Sequence, residues 1–444
     1  MGKSSILKEL RYSPEDGSDE LSHLQGEITD ELPELYRQPW NLQSPLAELL
    51  EPLGVKAFLS DYLGQNYYHF RANDARRLER YFSYDSLSEL LTNALCGSNV
   101  GAFDADRRKL FTMEFARMVN GDLIVDPSQV AKLLRAGGSM TIKQTERIHP
   151  GLGDLANDLV AWMGFDQAFI NLYYTPRGGQ TFPWHQDSQD FFVFQVEGKK
   201  SWDIYKPHYR VPFFPFKIEE HVELGIQKEN SEFLERVTLE KGDLLYLPSC
   251  FPHEVRCLPS DDSLHLAVCV LSQQRHLLLR QVVHDSINRL IHHADLRCPI
   301  FRTSHGGLDP REKKAIIQWF KNIFDNIGAK DFERVYLDYL ADHTPPAPDV
   351  QMANMLALLK GRKISQDCLL SRTRTHCRVV QDFGQLHLIT QRRALQFETR
   401  ARRALDYMTK STSFRLSDVP GLEGPDDREE LAWALVDLGL LVPQ

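Results

Sequence analysis

Cysteine is scarce in this chain, seven residues in 444, and none fall in a CxxC pair. An odd, scattered set excludes a disulfide framework and a cysteine-built structural zinc site, so reduced and mostly buried thiols are expected. A basic excess is also missing: 52 Lys and Arg stand against 61 Asp and Glu, a formal charge of −9 with a pI near 6.0. No global field draws such a protein to nucleic acid or to an anionic membrane. No uninterrupted apolar run approaches the length of a membrane span, and MGKSSILKEL has no apolar core of the signal-peptide kind. The myristoylation pattern fails at Ile6, where Ser or Thr is needed. A cytoplasmic protein without membrane contact is the expectation.

What is present is an ordinary globular balance, 42% hydrophobic and 25% charged, long enough for two or three domains. The most informative stretch is AFINLYYTPRGGQTFPWHQDSQDFFVFQVEGKKSWDIYK, residues 168–206. Within it His185 and Asp187 stand at i and i+2, a spacing that puts both side chains on one face of a β-strand. KGDLLYLPSCFPHEV adds His253 after a buried-strand pattern at Leu244–Leu247. Two histidines and a carboxylate on one octahedral face leave three adjacent positions open, the ligand set of non-haem Fe(II) oxygenases. An isolated HxD is more often a pair of surface residues, with His253 then a hydrogen-bonded loop histidine. The surroundings decide between the two readings.

Those surroundings are a run of short strands with frequent turn signals: 168–174, 191–196, 201–205, 235–239, 244–247, 254–257 and 264–271. Glu197-Gly198-Lys199-Lys200 reads as a hairpin turn between the second and third. About eight antiparallel strands predict a mainly β double-sheet jelly roll, the double-stranded β-helix of cupins.

The motifs Asn171-Leu172-Tyr173, Thr175-Pro176, His185-x-Asp187, Gln195-x-Glu197-Gly198-x-Lys200-x-Trp202 and Gly242-Asp243-x-x-Tyr246-x-Pro248 ahead of His253 carry a resemblance. In order and spacing they resemble the JmjC-type cupins called ribosomal oxygenases, from about Pro39 to the C-terminus. These are Fe(II)- and 2-oxoglutarate-dependent hydroxylases of histidyl or arginyl side chains in ribosomal proteins. The resemblance implies that His185, Asp187 and His253 hold Fe(II) and act as the catalytic centre. It implies that 2-oxoglutarate fills two of the vacant positions and O2 the third. Lys200 then takes the cosubstrate's distal carboxylate with help from Tyr173, and Asn171 lines the same space. Core hydrogen bonding is an equally good account of Tyr173 and Asn171. Alternation sends Lys200 inward and Lys199 to solvent. Trp202 reads as core and His265 as a core or supporting histidine. Two positions depart from the family: Ser188 stands where a second acid often follows the HxD motif, with Asp190 two later, and Cys269 replaces a small hydroxylated residue. These departures bear on the substrate.

Residues 1–38 are acidic and read as a mobile arm. A catalytic cupin domain is expected over 39–272, with an apolar helical pattern over 45–64, a strand over 67–71, and helices over 86–93 and 127–135, capped by Ser86 and Asp126. Amphipathic helices over 273–295, 309–326 and 330–341 form a block, 273–342, where the resembled family carries its dimerisation module. The resemblance therefore implies a homodimer. His343 to Asp349 reads as a linker, and helix, strand, helix, strand over 401–442 as a winged-helix-like unit within 343–444. Its acids, Asp426, Asp427, Glu429 and Glu430 among them, disfavour a nucleic-acid partner, although Arg372, Arg374, Arg378, Arg392, Arg393, Arg400, Arg402 and Arg403 lie nearby.

Three functions follow from the sequence. The first is a hydroxylase of a protein or peptide side chain, with a ribosomal protein as a candidate partner. The second is the same chemistry on a free amino acid, a biosynthetic peptide or a nucleotide. The third is a non-enzymatic cupin that binds a partner.

Overall fold

A computed structural model describes residues 46–87, 90, 99–104, 106, 109–111, 114–119, 122–163, 165–180, 182–208, 227–344, 364–373, 375–382, 384–390 and 393–444. The expected acidic arm, linker residues 345–349, Arg374, Arg392 and most of the helix over 86–93 lie outside them.

Strands β1 (Tyr68–Phe70), β2 (Val100–Phe103), β3 (Ala116–Val119) and β4 (Asp122–Val125) come first, followed by helix α1 (Pro127–Arg135). The Asp126 carboxylate accepts from Ser128 N, the N-cap expected of an Asp before Pro at the first helical position. Strand β5 (Ser139–Ile142) and helix α2 (Pro150–Met163) lead into the barrel strands β6 (Gln167–Thr175), β7 (Asp190–Gly198), β8 (Lys200–Tyr205), β9 (Phe233–Leu239), β10 (Leu244–Leu247), β11 (His253–Cys257) and β12 (Ser263–Leu271). All pairings are antiparallel. The larger sheet runs β1-β10-β7-β12-β6-β5-β2, and the smaller one β11-β8-β9.

The larger sheet is buried on both faces because its strands alternate between two apolar environments. Ala168, Ile170, Leu172, Phe192, Phe194, Leu266 and Val268 pack in one core with Leu152, Leu155, Leu159 and Trp162 of α2. Phe191, Val193, Leu245 and Leu247 face the other way, against Trp202, Ile204, Val237 and Leu239 of the smaller sheet. Each fully buried aliphatic side chain stabilises the fold by roughly 1.5–3 kcal/mol. The two cores therefore fix how far apart the sheets lie, and the functional cavity opens between them.

Beyond the barrel come α3 (Arg275–Leu290), α4 (Pro310–Asn326) and α5 (Ala329–His343), with Asp309 capping α4 through Arg311 N. Strands β13 (Leu369–Arg372), β14 (Arg378–Asp382), β15 (Gln385–Thr390) and β16 (Arg393–Phe397) precede α6 (Arg402–Lys410), β17 (Ser413–Arg415), α7 (Pro425–Asp437) and β18 (Leu441–Pro443). The last unit is more β-rich than the sequence pattern implied. β13 is the central strand of a β17-β13-β18 sheet, and β14-β15-β16 is a separate meander. Asp166 ties these parts together: its carboxylate accepts from the Gln273 backbone N–H and from the Tyr336 hydroxyl, and Arg378 donates to its carbonyl.

The single helical pattern over 45–64 is resolved into three short turns, Ala47–Leu50, Val55–Ala57 and Phe58–Tyr62. Pro52 removes a donor, and Gly54 has φ of +81°, so no continuous helix passes through. The apolar spacing was real, since Leu46, Leu49, Leu50, Phe58 and Leu59 are all buried.

Candidate metal centre

His253 is the first residue of β11, whereas His185 and Asp187 lie in the irregular segment ahead of β7. The HxD pair is thus not on a regular strand, as its spacing implied. Pro183 interrupts the chain there, and the segment is held instead by an isolated bridge between the two histidines. His185 N donates to His253 O at 3.0 Å, His253 N donates to His185 O at 2.7 Å, and Cys250 N donates to Asp187 O at 2.8 Å.

The side chains converge as predicted. Asp187 Oδ2 is 3.8 Å from His185 Nε2 and 3.8 Å from His253 Nε2, and the three donor atoms lie within 4.8 Å of one another. Each imidazole has its Nδ1 against a backbone carbonyl, Pro183 O at 2.8 Å for His185 and Phe251 O at 3.0 Å for His253. A proton on Nδ1 leaves the Nε2 lone pair free for a cation. Burial, with His185 beside it, holds His253 well below the ordinary histidine range, so its ring is neutral. Burial also raises the Asp187 carboxyl, against the opposing effect of His185. The Asp187 side chain keeps contact with open space, but that space is the cavity, enclosed by protein that desolvates the carboxylate. A divalent cation at this point would bring the Asp187 carboxyl back down and would further hold the His253 ring unprotonated.

The trio stands in a cavity of about 250 Å³ between the two sheets. Asn171, Tyr173, Lys200 and Cys269, the other residues singled out in the sequence, all line it. Asn171 Oδ1 also accepts from Gln144 N at 3.3 Å, so this side chain serves the loop before α2 as well. Lys200 is 2% exposed, and its Nζ donates to Thr175 Oγ1 at 3.0 Å, while Lys199 reaches out to Glu240 at 2.6 Å. Desolvation brings the Lys200 ammonium down to about 8, with Cys257 acting weakly in the other direction. Burial raises the Tyr173 hydroxyl and the Cys269 thiol far above their usual ranges.

Several cavity residues carried no clear signal in the sequence. His265 stacks on Tyr173, centroids 4.9 Å apart and 10° from parallel, and its Nδ1 is buried without a hydrogen-bond partner among the described residues. Trp202, read as core, is 4% exposed, yet its indole also forms cavity wall and its Nε1 is likewise unpartnered. Phe182 packs against His185 at 5.6 Å and Phe103 at 5.1 Å. Stepping by two from Tyr173 and from Cys269 reaches Thr175, Ala267 and His265, so the strand period was the available clue. Asp190, the displaced second acid, is not part of the centre: its carboxylate accepts from the Tyr246 hydroxyl at 2.5 Å and from Ser249 N at 2.8 Å.

The donor set suits a hard or borderline divalent cation with open positions. Behind it, a buried ammonium and two unpartnered ring N–H or N groups suit a compact anion.

Residues 154–277 match the family model of the JmjC domain. The chain is 30% identical over 321 residues to a bifunctional lysine-specific demethylase and histidyl-hydroxylase NO66 of Dictyostelium discoideum, a match covering 68% of this chain and 60% of that one. It is 43% identical over 101 residues to ribosomal oxygenase 1 of Gallus gallus, covering 23% and 16%. The chain thus spans less than two thirds of the length of these relatives. YcfD, a ribosomal oxygenase from Escherichia coli solved in complex with cobalt and 2-oxoglutarate, has the same fold at 18% identity and TM-score 0.50, over 88% of this chain and 98% of that one.

Proposed function

We propose that this chain, which belongs to the JmjC ribosomal-oxygenase family, is an Fe(II)- and 2-oxoglutarate-dependent hydroxylase of a protein side chain. The observation that carries this reading is the convergence of His185, Asp187 and His253 within 4.8 Å at the wall of a cavity that also holds the Lys200 ammonium. A bare binding module has no use for three converging donors, two of them imidazoles with Nδ1 already satisfied. Bound there, iron with 2-oxoglutarate and O2 supplies the oxidising equivalent for inserting one oxygen into a C–H bond. The chain's own residues position and shield. The two carbonyls at Pro183 and Phe251 orient the imidazoles, Lys200 with Thr175 offers a charge-assisted hydrogen bond to the cosubstrate's distal carboxylate, and Tyr173 and Asn171 border it. Phe182 and Phe191 pack on the two histidines and keep water from that side.

The substrate is a ribosomal protein, as the names of the relatives suggest, and the modified residue is a histidine in preference to an arginine. Asp187 is the one carboxylate lining the cavity among the described residues, and it is committed to the metal, so no partner remains for a guanidinium. Mass spectrometry of ribosomal proteins with and without this chain tests the target. One added oxygen on a histidyl peptide is expected, and a gain confined to small metabolites removes the proposal.

The catalytic region over 39–272 is followed, in this reading, by a dimerisation module over 273–342. Along α3 and just past it Leu279, Ile287 and Ile291 are exposed, and along α4 Ile316, Ile317, Phe320 and Phe324, with Ile291 at 51% and Phe320 at 54%. Apolar stripes of this extent on a protein surface call for a partner, and a second copy supplies one. The unit over 343–444 is winged-helix-like and acts as a protein contact. A cytoplasmic placement is part of this reading, and among the described residues no helix is long and apolar enough to cross a membrane.

A further inference from the structure

Three cysteines lie close to the metal centre in sequence, and one of them faces it. Cys250 is fully buried in the turn after β10, and the Cys257 thiol is turned away to the Asp261 carbonyl at 3.0 Å. Neither lines the cavity. Cys269 does, opposite Phe169 on β6 and Phe191 on β7, both of which are cavity walls. The Phe191 ring in turn lies 5.4 Å from that of His253, and Asp187 is an electrostatic neighbour of the Cys269 sulfur. The same chamber holds two polar atoms buried without partners, Trp202 Nε1 and His265 Nδ1, each on a side chain 4% exposed, so it is built to receive a polar ligand.

We propose that Cys269 is a self-oxidation site, taking the oxygen atom when 2-oxoglutarate is consumed with no protein substrate in place. This rests on the oxygenase reading above. The balance is that of the ordinary reaction with a thiol as acceptor. 2-Oxoglutarate loses its C1 carboxyl as CO2 and becomes succinate with one atom of O2. The other atom enters between sulfur and hydrogen, so that R–SH becomes R–SOH. O2 takes up four electrons, two from the keto acid and two from the sulfur. A sulfur lone pair accepts oxygen without a C–H bond being broken, which sets Cys269 apart from the aromatic walls around it. The sulfenic acid sits within the catalytic chamber and blocks further turnover until a small thiol reduces it. A substrate side chain occupying the chamber competes for the same oxygen.

The test uses the full chain with Fe(II), 2-oxoglutarate and oxygen-18-labelled O2, without substrate: one half of the sample is read directly by mass spectrometry for oxygen-18 gained, and the other half is trapped with a sulfenic-acid reagent, which expels that oxygen as water, and peptide-mapped for the adduct. Succinate is measured in parallel. Oxygen-18 in the untrapped protein, rising with succinate and removed by dithiothreitol, together with the trapped adduct on the Cys269 peptide, is the expected result. In Cys269→Ser the label per mole of succinate falls on the order of tenfold or more. Succinate with no label at Cys269, or with label on Trp202 or Tyr173 instead, overturns the proposal and leaves the oxygenase reading intact. Absence of succinate overturns both.

Discussion

His185 and His253 hold each other through their backbones, exchanging hydrogen bonds of 3.0 and 2.7 Å across an isolated bridge. The backbone pairing thus brings the two imidazoles to one point. His185→Ala removes a ring that is one-third exposed and leaves the bridge in place. The variant should keep its melting temperature within a few degrees. Fe(II) affinity should fall by more than about 100-fold, since loss of a direct ligand exceeds the 10–100-fold typical of supporting residues. Anaerobic titration with Fe(II) and 2-oxoglutarate, followed by the visible charge-transfer band of the chelate, measures this. A band of normal intensity in the variant would remove His185 from the centre.

Lys200 gives the pH dependence. Burial has brought its ammonium down to about 8, so in the free protein it loses its proton near that pH, well below the unfolded lysine. The desolvation penalty on the folded state is thus fully present below pH 8 and is relieved as pH rises toward 10.5. Cosubstrate binding has the opposite preference. An anion beside the ammonium raises its pKa, so above pH 8 binding must take up a proton, and affinity should drop by up to about tenfold per pH unit. Calorimetric titration of 2-oxoglutarate into the anaerobic Fe(II) protein from pH 7 to 9.5 would find a flat profile if Lys200 were not the partner. Lys200→Met should weaken binding by roughly 10–100-fold at pH 7, the size of a lost charge-assisted hydrogen bond of about 1.5–3 kcal/mol.

Gly198 is the turn residue that delivers Lys200. It has φ of +67°, and a Cβ there would stand 1.7 Å from the Asp262 carbonyl oxygen. Gly198→Ala should cost about 2 kcal/mol or more, from the left-handed backbone and the collision together. Urea denaturation reads the stability, and the same sample should also bind 2-oxoglutarate more weakly. Wild-type stability in the variant would mean that the hairpin is not constrained at this point.

For the helical block, light scattering is expected to give twice the 51.1 kDa of one chain. Phe320→Asp places a charge in the middle of the α4 stripe and should raise the dimer dissociation constant by about 100-fold or more, from roughly 1.5–3 kcal/mol of lost burial plus the desolvation of the carboxylate. A monomeric wild-type chain would end the proposal for 273–342.

Much of the barrel was legible because its strands are long, apolar and separated by turn residues, so that their period and their ends coincide. The convergence of His185, Asp187 and His253 was legible for a different reason. Its residues are common ones, and the order and spacing of the motifs around them, Lys200 after its hairpin included, carried the resemblance. What escaped was anything whose signal is split between distant segments. The middle strand of the C-terminal sheet, Leu369–Arg372, is four residues long with one fully buried side chain, and its partners lie some 40 and 70 residues further on. The α2 helix was missed because Pro150, Gly151 and Gly153 at its start read as turn residues, although Asp154, Asn157 and Asp158 form a half-buried polar stripe opposite the buried Leu152, Leu155, Ala156 and Leu159. Thr175 and His265 are common residue types in ordinary strand positions, and only their neighbours give them a role.

The alternation along β6 and β12 has a practical corollary. Odd-numbered positions on both, Phe169, Asn171 and Tyr173 with His265, Ala267 and Cys269, border the cavity, and even-numbered ones, Ile170 and Leu172 with Leu266 and Val268, carry the weight of the fold. Anyone wishing to redirect the chemistry can rewrite the odd set as a library while freezing the even one. Selection for a new substrate would then explore shape and polarity without spending most of its variants on chains that never fold.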